Sequence, residues 1–426
     1  MANSQVTNTN YVAEALVRKS QKQNDMVVKK VYRNVELVGG STYNQGAFLS
    51  GTIQSSQPHV LSSISLVANL KLAGYTGTDV KFLSSACDLF STVSVDFNGY
   101  KMVDIPSKAG LVAYVNRNCN RSQERFESDK IQLLSDVDLS GNGTYPIQIP
   151  LSVFGLDCTY LLPTGSNGKQ KVEINLNSKI NEIFSSANPG SASTLSYSLE
   201  NASLLVEYYE LSVGASSILR NSVNSANGLS YPLFSYWVTD APLDQSTTQT
   251  KTVSENFQNI TANYLLPMNG GYGATVANGN TCATDGYKEL IKWNTAGEIP
   301  SQFKGGFIGM ESRNLGSSTG QSGRPLALQS LINCSKKNMT DMISGYGWAR
   351  DYTSSSNFGA IGLSFMRADE KLPELLQSGT NGQLSNGSMQ VEINLDTAPS
   401  ALSKMYCVVE FTRVVTISAK GNTEMK

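Results

Sequence analysis

A five-residue motif occurs twice in this chain, once in each half. Residues 172–176 read Val-Glu-Ile-Asn-Leu, and residues 391–395 repeat them. Each copy is followed by a related segment, LLVEY at 204–208 and CVVEF at 407–411. Two matches in the same order predict two similar β-domains in tandem, because self-similarity is the sequence signature of repeated architecture. The alternative is that unrelated strands converged on common β-forming residues.

Alternation of apolar and polar residues predicts strands through most of the chain beyond residue 45. The clearest case is FSTVSVDFNGYKMVDI at 90–105, where Asn98-Gly99 separates two alternating runs. Both residues tolerate positive φ, so the pattern predicts a β-hairpin with a type I′ turn. Further strands are predicted at 60–72, 145–154, 171–177, 203–213, 234–240, 259–268, 306–310, 359–368, 388–396 and 405–417.

Long loops rich in Gly, Asn and Ser separate the predicted strands of the second half, notably at 269–286 and 311–323. Loops of this length in a compact domain usually carry a binding or assembly role. The domains predicted from these patterns are an N-terminal basic helical arm, a first β-domain, a linker and a second β-domain, at 1–44, 45–214, 215–230 and 231–426.

The N-terminal region carries a local excess of positive charge. Apolar residues at three-to-four spacing predict a helix over 11–33. Six basic residues outnumber Glu14 and Asp25 there: Arg18, Lys19, Lys22, Lys29, Lys30 and Arg33. The segment is therefore about +4 and the rest of the chain about −5, since the net charge is −1. We expect the segment to face an anionic lipid surface or the interior of an assembly; a solvated helix and a clamp between subunits are the alternatives.

Composition excludes several classes of protein. His59 is the one histidine, so a multi-histidine metal site is excluded. A net charge of −1 argues against a dedicated nucleic-acid binder. The start of the sequence, MANSQVTNTN, shows no apolar core of a secretory signal, and no apolar run is long enough to span a membrane. Without any C-x-x-C, the dispersed cysteines are predicted to be buried or semi-buried free thiols: Cys87, Cys119, Cys158, Cys282, Cys334 and Cys407.

Tests for catalytic and ligand-binding motifs give one weak candidate. Asp136, Asp138 and Ser140 match the first half of a calcium loop, but Ile147 stands where the bidentate glutamate belongs. A polar turn between strands is the alternative. No phosphate loop, dinucleotide fingerprint or nucleophile elbow is complete. We therefore predict no catalytic residues, no cofactor and no enzymatic activity, and we expect His59 to be a satisfied or exposed side chain.

In layout and local texture the chain resembles a known family. The hairpin at 90–105, TYPIQIPLSVFG at 144–155, KVEINLNSK at 171–179, SLLVEYYELSV at 203–213 and ILRNSVN at 218–224 are similar to the early strands, the closing strands and the inter-barrel connection of one class of protein. These are the double jelly-roll major capsid proteins of tailless icosahedral double-stranded DNA viruses, the tectivirus and adenovirus-hexon lineage. The family has no sharp motif, so no residue role is carried over.

The resemblance implies an all-β chain of two tandem eight-stranded jelly rolls, with a short N-terminal helix and long loops. It also implies a virion protein assembled in the host cytoplasm, which forms trimeric, pseudo-hexagonal capsomers. The implied partners are other copies of the chain, lipid of an internal membrane, and minor capsid or spike proteins; no cofactor is implied. Two alternatives stay open: an exported-type β-sandwich binding protein, such as an adhesin or carbohydrate-binding module, and a β-sandwich glycosidase with two facing carboxylates.

Overall fold

The first half of the chain forms a sandwich of two antiparallel sheets. The computed structural model describes residues 27–54, 57–120, 128, 130–158, 160–162, 168–225, 228–242, 246–254, 259–268, 272, 281–291, 302–307, 313–317, 330–334, 359–365, 388–394, 404–418 and 423–425. Eight principal strands in the described part of this half are β1 (Val27–Val38), β2 (Phe48–Ile53), β3 (Ser65–Ala73), β4 (Phe90–Phe97), β5 (Tyr100–Ile105), β6 (Thr144–Pro150), β7 (Gln170–Leu176) and β8 (Ser196–Leu211).

Two four-stranded sheets pack face to face in this sandwich. One sheet has the order β1-β8-β3-β6 and the other β2-β7-β4-β5. They join at one corner, where Leu37 and Val38 at the end of β1 pair with Gly51 and Ser50 of β2. Burial alternates along the strands, as in β7, so every second side chain enters the core between the sheets.

The second half repeats this architecture. Its described principal strands are β9 (Leu229–Pro242), β10 (Thr248–Ser254), β11 (Ile260–Met268), β12 (Gln302–Phe307), β13 (Arg313–Ser317), β14 (Ile361–Ser364), β15 (Ser388–Asn394) and β16 (Lys404–Ile417). One sheet has the order β9-β16-β11-β14 and the other β10-β15-β12-β13. Each strand of the second sandwich therefore has a number eight higher than that of its counterpart in the first sandwich.

The strand order confirms the tandem relationship that the repeated motif predicts. The two Val-Glu-Ile-Asn-Leu copies begin on β7 and β15, which are counterparts in the two sandwiches. The two following segments lie on β8 and β16, which are also counterparts. Eight strands in this order form a jelly roll, so the chain is a double jelly roll.

Helices and short strands fill the connections. The helices are α1 (Ala109–Cys119), α2 (Val213–Asn224) and α3 (Tyr287–Leu290), and the 3₁₀ helices are Leu61–Ser63, Ala86–Leu89, Leu151–Phe154 and Ile180–Glu182. The short strands are Thr42–Asn44, His59–Val60, Val80–Phe82, Leu161–Leu162, Phe184–Ser186 and Thr423–Met425. All residues of α1 are buried. Helix α2 begins at Ser212, whose side chain accepts from the Ala215 N–H, and it connects β8 to β9.

The predicted helix over 11–33 is wrong for residues 27–33, which belong to β1. Residues 11–26 of that prediction lie outside the described residues. Val27, Val31 and Val35 are spaced by four residues, a spacing that fits a helix as well as a strand. Pairing with β8 decides between them. That pairing also places β1 inside the first sandwich, whereas the predicted boundary at residue 45 places it outside.

The structure tests two further predictions, one in each sandwich. The hairpin at 90–105 is confirmed: β4 and β5 pair, with φ of 50° at Asn98 and 83° at Gly99. The loop predicted over 311–323 is wrong in part, because Arg313–Ser317 forms β13. This segment has no β-branched residue, and its strand conformation comes from pairing with β12.

Candidate functional site: the joint between the two sandwiches

Main-chain hydrogen bonds connect the two sandwiches directly. The Ser186 N–H donates to the Ala283 carbonyl at 3.0 Å, and the Ala283 N–H donates to the Phe184 carbonyl at 2.9 Å. Nearby, the Tyr287 N–H donates to the Leu83 carbonyl at 3.0 Å. A segment between β11 and β12 thus pairs with a short strand of the first sandwich. We call the contact region between the sandwiches, which contains these residues, the joint.

A buried polar network crosses the joint around Glu410 of β16. Asn120, the C-cap of α1, donates from Nδ2 to Glu410 Oε2 at 2.8 Å and to the Tyr236 hydroxyl at 3.0 Å. The Tyr236 hydroxyl donates to Glu410 Oε2 at 3.0 Å, and Thr261 Oγ1 lies 2.9 Å from Glu410 Oε1. Glu410 is fully buried. A buried carboxyl group needs such partners, and one of them comes from the other sandwich.

A second buried acid, Asp88, lies on the first-sandwich side of the joint. Its Oδ2 atom accepts from the backbone N–H groups of Ser84 and Ser85 at 2.8 and 3.0 Å and caps the 3₁₀ helix Ala86–Leu89. Burial raises the pKa of Asp88 to about 7, although the two backbone donors and the charge of Arg117 oppose the rise. The pKa of Tyr287 is also raised, mainly by burial and to a smaller extent by the nearby Tyr272 and Asp88.

A lysine of the first sandwich enters an aromatic cluster of the second. Lys108 Nζ lies 2.6 Å from Glu182 Oε1, and 5.0 and 5.7 Å from the ring centres of Tyr272 and Tyr406. The two rings meet edge to face at 5.6 Å. Burial lowers the pKa of Lys108; burial alone would raise the pKa of Glu182, but Lys108 holds it below its usual range. The cation–π contacts of Lys108 therefore cross the joint, while its ion pair with Glu182 anchors it within the first sandwich.

The backbones of the two sandwiches approach each other closely at Gly155. Its φ is +98°, and a Cβ placed there would lie 2.3 Å from the Phe234 carbonyl oxygen. The Tyr231 hydroxyl donates to the Leu161 carbonyl at 2.8 Å on the same side. Glycine is needed at this position for its positive φ and for the absence of a side chain. Backbone, side-chain and packing contacts thus hold the two jelly rolls in one arrangement.

The basic residues predicted from the N-terminal region are only partly described. Lys29, Lys30 and Arg33 lie on β1. Lys30 forms an ion pair with Glu207 at 2.8 Å, and the Arg33 guanidinium lies 5.5 Å from the Tyr208 ring centre. Arg18, Lys19 and Lys22 lie outside the described residues. In the described part of the chain, no helix has the length and apolar character needed to cross a membrane.

The structure does not bring the calcium-loop candidates together as ligands. Asp138 pairs with Lys81 at 3.2 Å, the Ser140 N–H donates to the Tyr145 hydroxyl at 2.6 Å, and the Asp136 side chain is exposed. Among the residues that the structure describes, no group of three or more His, Cys, Asp or Glu is placed to hold a metal ion.

His59 is buried, and of its two ring nitrogens Nε2 has a hydrogen-bond partner while Nδ1 has none among the described residues. Its Nε2 atom lies 2.5 Å from Gln170 Oε1, and its ring meets that of Tyr208 edge-on at 5.8 Å. Burial lowers the pKa of His59 to about 4, although the bond to Gln170 opposes this shift.

The prediction of free thiols is confirmed, since all six cysteines are free and buried.

The sequence predictions assign no role to Asn120 or Glu410, although Tyr272 and Ala283 of the joint lie in the predicted loop 269–286. Asn120 and Glu410 are 290 residues apart; Asn120 stands in no recognisable motif, and Glu410 lies in the repeated segment CVVEF, which predicts a strand and no polar contact. One signal was available: Glu410 interrupts the apolar run of β16, where an acid inside a buried strand requires a polar partner.

Comparison with known proteins gives matches in structure alone. No protein-family model matches this chain, and no curated protein matches it significantly. VP54 of PBCV-1, whose crystal structure was fitted into a cryo-EM reconstruction of the virophage Sputnik, is 13% identical. That match covers 93% of this chain and 96% of VP54, with a TM-score of 0.61.

Two further solved structures are similar over nearly the whole chain. A protein in the cryo-EM structure of the Sputnik virophage is 12% identical, over 94% of this chain and 89% of that one, with a TM-score of 0.56. The Faustovirus major capsid protein is 9% identical, over 98% and 99%, with a TM-score of 0.55. These similarities show that both sandwiches and their connection follow one double jelly-roll fold.

Proposed function

We propose that this chain is a major capsid subunit of an icosahedral viral shell. Three copies form a pseudo-hexagonal capsomer, in which each chain supplies two jelly rolls. The role is structural rather than enzymatic. The observation that carries the proposal is the double jelly roll itself, shared along 93% of the chain with VP54 of PBCV-1.

The joint supports this function on physical grounds. A shell subunit with two barrels tiles a lattice only if the barrels keep a constant relative orientation. The Asn120–Glu410 hydrogen bond and the backbone bridge at Ala283 restrict movement between them. A low net charge of −1 also lets many copies pack without strong mutual repulsion.

The oligomeric state tests the proposal. Light scattering of the purified protein should give a particle of three times 45.9 kDa. Electron microscopy of that species should show a pseudo-hexagonal outline, because three copies present six barrels. A protein that stays monomeric at millimolar concentration would overturn the proposal.

The N-terminal basic residues are proposed to face the shell interior and an internal membrane. Arg18, Lys19 and Lys22 supply positive charge upstream of β1, and each basic residue near an anionic surface contributes about 1 kcal/mol. Lys29, Lys30 and Arg33 lie at the adjoining strand. Minor capsid or spike proteins are proposed as further partners, and the host cytoplasm as the site of assembly.

Deletion of residues 1–26 tests the membrane role without removing β1. The truncated protein should still form trimers, whereas its binding to vesicles containing anionic lipid should fall at least tenfold. A variant with Arg18, Lys19 and Lys22 changed to Gln separates charge from chain length. Unchanged vesicle binding by both variants would contradict the role, as would loss of trimers on deletion.

A further inference from the structure

One outer face of the first sandwich is nearly free of charge at its centre. The sheet β1-β8-β3-β6 presents there a set of uncharged side chains that we call the neutral face: Asn34, Val67, Asn69, Gln148, Asn201 and Ser203. In the strand register, Ser203 lies opposite Val67, and Val67 lies opposite Gln148. These side chains therefore form a continuous row across three strands.

A groove of about 420 Å³ runs over the neutral face. Gln132, from the connection between α1 and β6, lines one side of it, and the neighbouring Ile131 is 81% exposed. The floor offers amide and hydroxyl groups that both donate and accept hydrogen bonds. A partner with polar backbone and small side chains can satisfy such groups without supplying a charge.

The charges at the two ends of the face are already neutralised within the sandwich. Lys71 pairs with Glu200 at 2.9 Å, and Lys30 pairs with Glu207 at 2.8 Å. Glu36, on the edge strand β1, is the nearest further acid in the same row, opposite Ser203. Covering this face therefore buries few charges, and desolvation of charges is the main cost of covering a polar surface.

The opposite outer face of the same sandwich has a different character. Lys101 pairs with Asp104 at 2.8 Å, and Lys171 pairs with Glu173. Asp96 lies among them on β4. This charged face suits contact with water, since charged residues are depleted at the centre of protein interfaces. The two outer faces of this sandwich thus differ in their content of charged side chains, and that content distinguishes the centre of an interface from a solvated surface.

We propose that the neutral face is a docking surface for a second copy of this chain within the capsomer. The inference rests on the proposed function, and it assigns the contact between subunits of the capsomer to one face of the first sandwich. A trimer closes through heterologous contacts, so the neutral face meets a different patch of its neighbour.

The chemistry of the face disfavours other occupants. Its centre has no cation for a nucleic-acid phosphate or an anionic lipid headgroup. The groove is open and about as polar as it is apolar, unlike the enclosed apolar sites that bind small molecules. Strand addition at the β6 edge is hindered, because Pro146 and Pro150 lack an N–H group.

The area of the neutral face determines how much of the subunit interface it can form. Four strands about 4.8 Å apart and roughly 20 Å long present about 400 Å². A stable interface buries about 800 Å² on each partner. The neutral face therefore forms the centre of the contact, and surrounding residues such as the exposed Ile131 supply the remainder.

Two serines provide a matched test by charge. Ser203 lies on the neutral face, and Ser94 lies on the charged face between Glu173 and Asp104. Both are half-buried. Ser203→Lys should raise the dissociation constant of the trimer at least tenfold, because it places a long charged side chain at the centre of the contact, whereas Ser94→Lys should leave it unchanged. Equal trimer stability in wild type and both variants would overturn the docking assignment.

Thiol labelling gives a second test, which does not depend on whether the lysine variant folds. All six native cysteines are buried, so Ser203→Cys and Ser94→Cys each introduce an accessible thiol. In trimers, maleimide should modify the thiol at 203 at least tenfold more slowly than the thiol at 94, and dilution to monomers should remove the difference. Equal rates in trimers would overturn the assignment, as would protection that arises only when anionic vesicles are added. A wild-type chain that never trimerises would instead overturn the proposed function.

Discussion

Asn120 and Glu410, 290 residues apart in sequence, are joined by a hydrogen bond of 2.8 Å between Nδ2 and Oε2. The first residue ends a helix of one jelly roll, and the second lies within a strand of the other. The bond is formed only when both jelly rolls are folded and in contact. It therefore couples their stabilities, and the coupling can be measured.

Asn120→Ala should weaken the coupling between the two jelly rolls. The change removes hydrogen bonds to Glu410 and Tyr236 and should cost about 1–3 kcal/mol, because a buried acceptor loses a donor. Calorimetry should show a lower Tm and a broader or split transition. Asn175→Ala is the control, since its bond to Thr92 lies within one sandwich and near solvent. Equal effects of the two changes would contradict the coupling.

Local sequence patterns were sufficient for the repeated parts of the fold. The Asn98-Gly99 turn was predictable because its positive φ values favour these two residue types. The tandem arrangement was predictable because β7 and β15 keep the same five residues in the same place of each sandwich. Both signals are local, and both survive without knowledge of tertiary contacts.

Elements decided by tertiary contacts were not predictable in this way. Strand β1 is an edge strand with most side chains exposed, so its valines lack the strict alternation of a half-buried strand. Helix α1 is buried all round and therefore shows no polar face at helical spacing. The joint brings together residues from both halves, such as Lys108 and Tyr272, whose proximity no sequence spacing encodes.

The contribution of Asp88 to the stability of the fold should fall as pH rises towards neutrality. Its pKa is about 7 in the folded protein and 3.8 in the unfolded chain, so the folded state binds more protons between these values. The part of the free energy of unfolding that Asp88 contributes therefore decreases across that window, by up to about 4 kcal/mol. Asp88→Asn keeps one oxygen for the Ser84 and Ser85 N–H groups and should abolish this slope. Urea titrations from pH 4 to 8 measure it, and an Asp88→Asn profile parallel to wild type would contradict the assignment.

His59 should produce a slope of the opposite sign. The folded imidazole has a pKa of about 4 against 6.5 when unfolded, so the unfolded state binds more protons between pH 4 and 6.5. The contribution of His59 to stability is thus complete above pH 6.5 and is lost as the pH falls, by up to about 3 kcal/mol. In His59→Gln the difference from wild type should shrink as the pH is lowered from 6.5 to 4. A difference that stays constant over this range would refute the shifted pKa.

Gly155→Ala should loosen the joint by forcing two backbones apart. The new Cβ would lie 2.3 Å from the Phe234 carbonyl oxygen at a φ of +98°, so the change combines a clash with an unfavourable backbone conformation. We expect a loss of about 2–5 kcal/mol, from about 1–2 for the positive φ and 1–3 for overpacking. Gly214→Ala is the matched control, because that Cβ meets nothing within 4 Å on helix α2 and should stabilise the protein by about 1 kcal/mol. Thermal unfolding of the two variants should therefore shift in opposite directions, and a Gly155→Ala protein as stable as wild type would show that the sandwiches can separate at this point without cost.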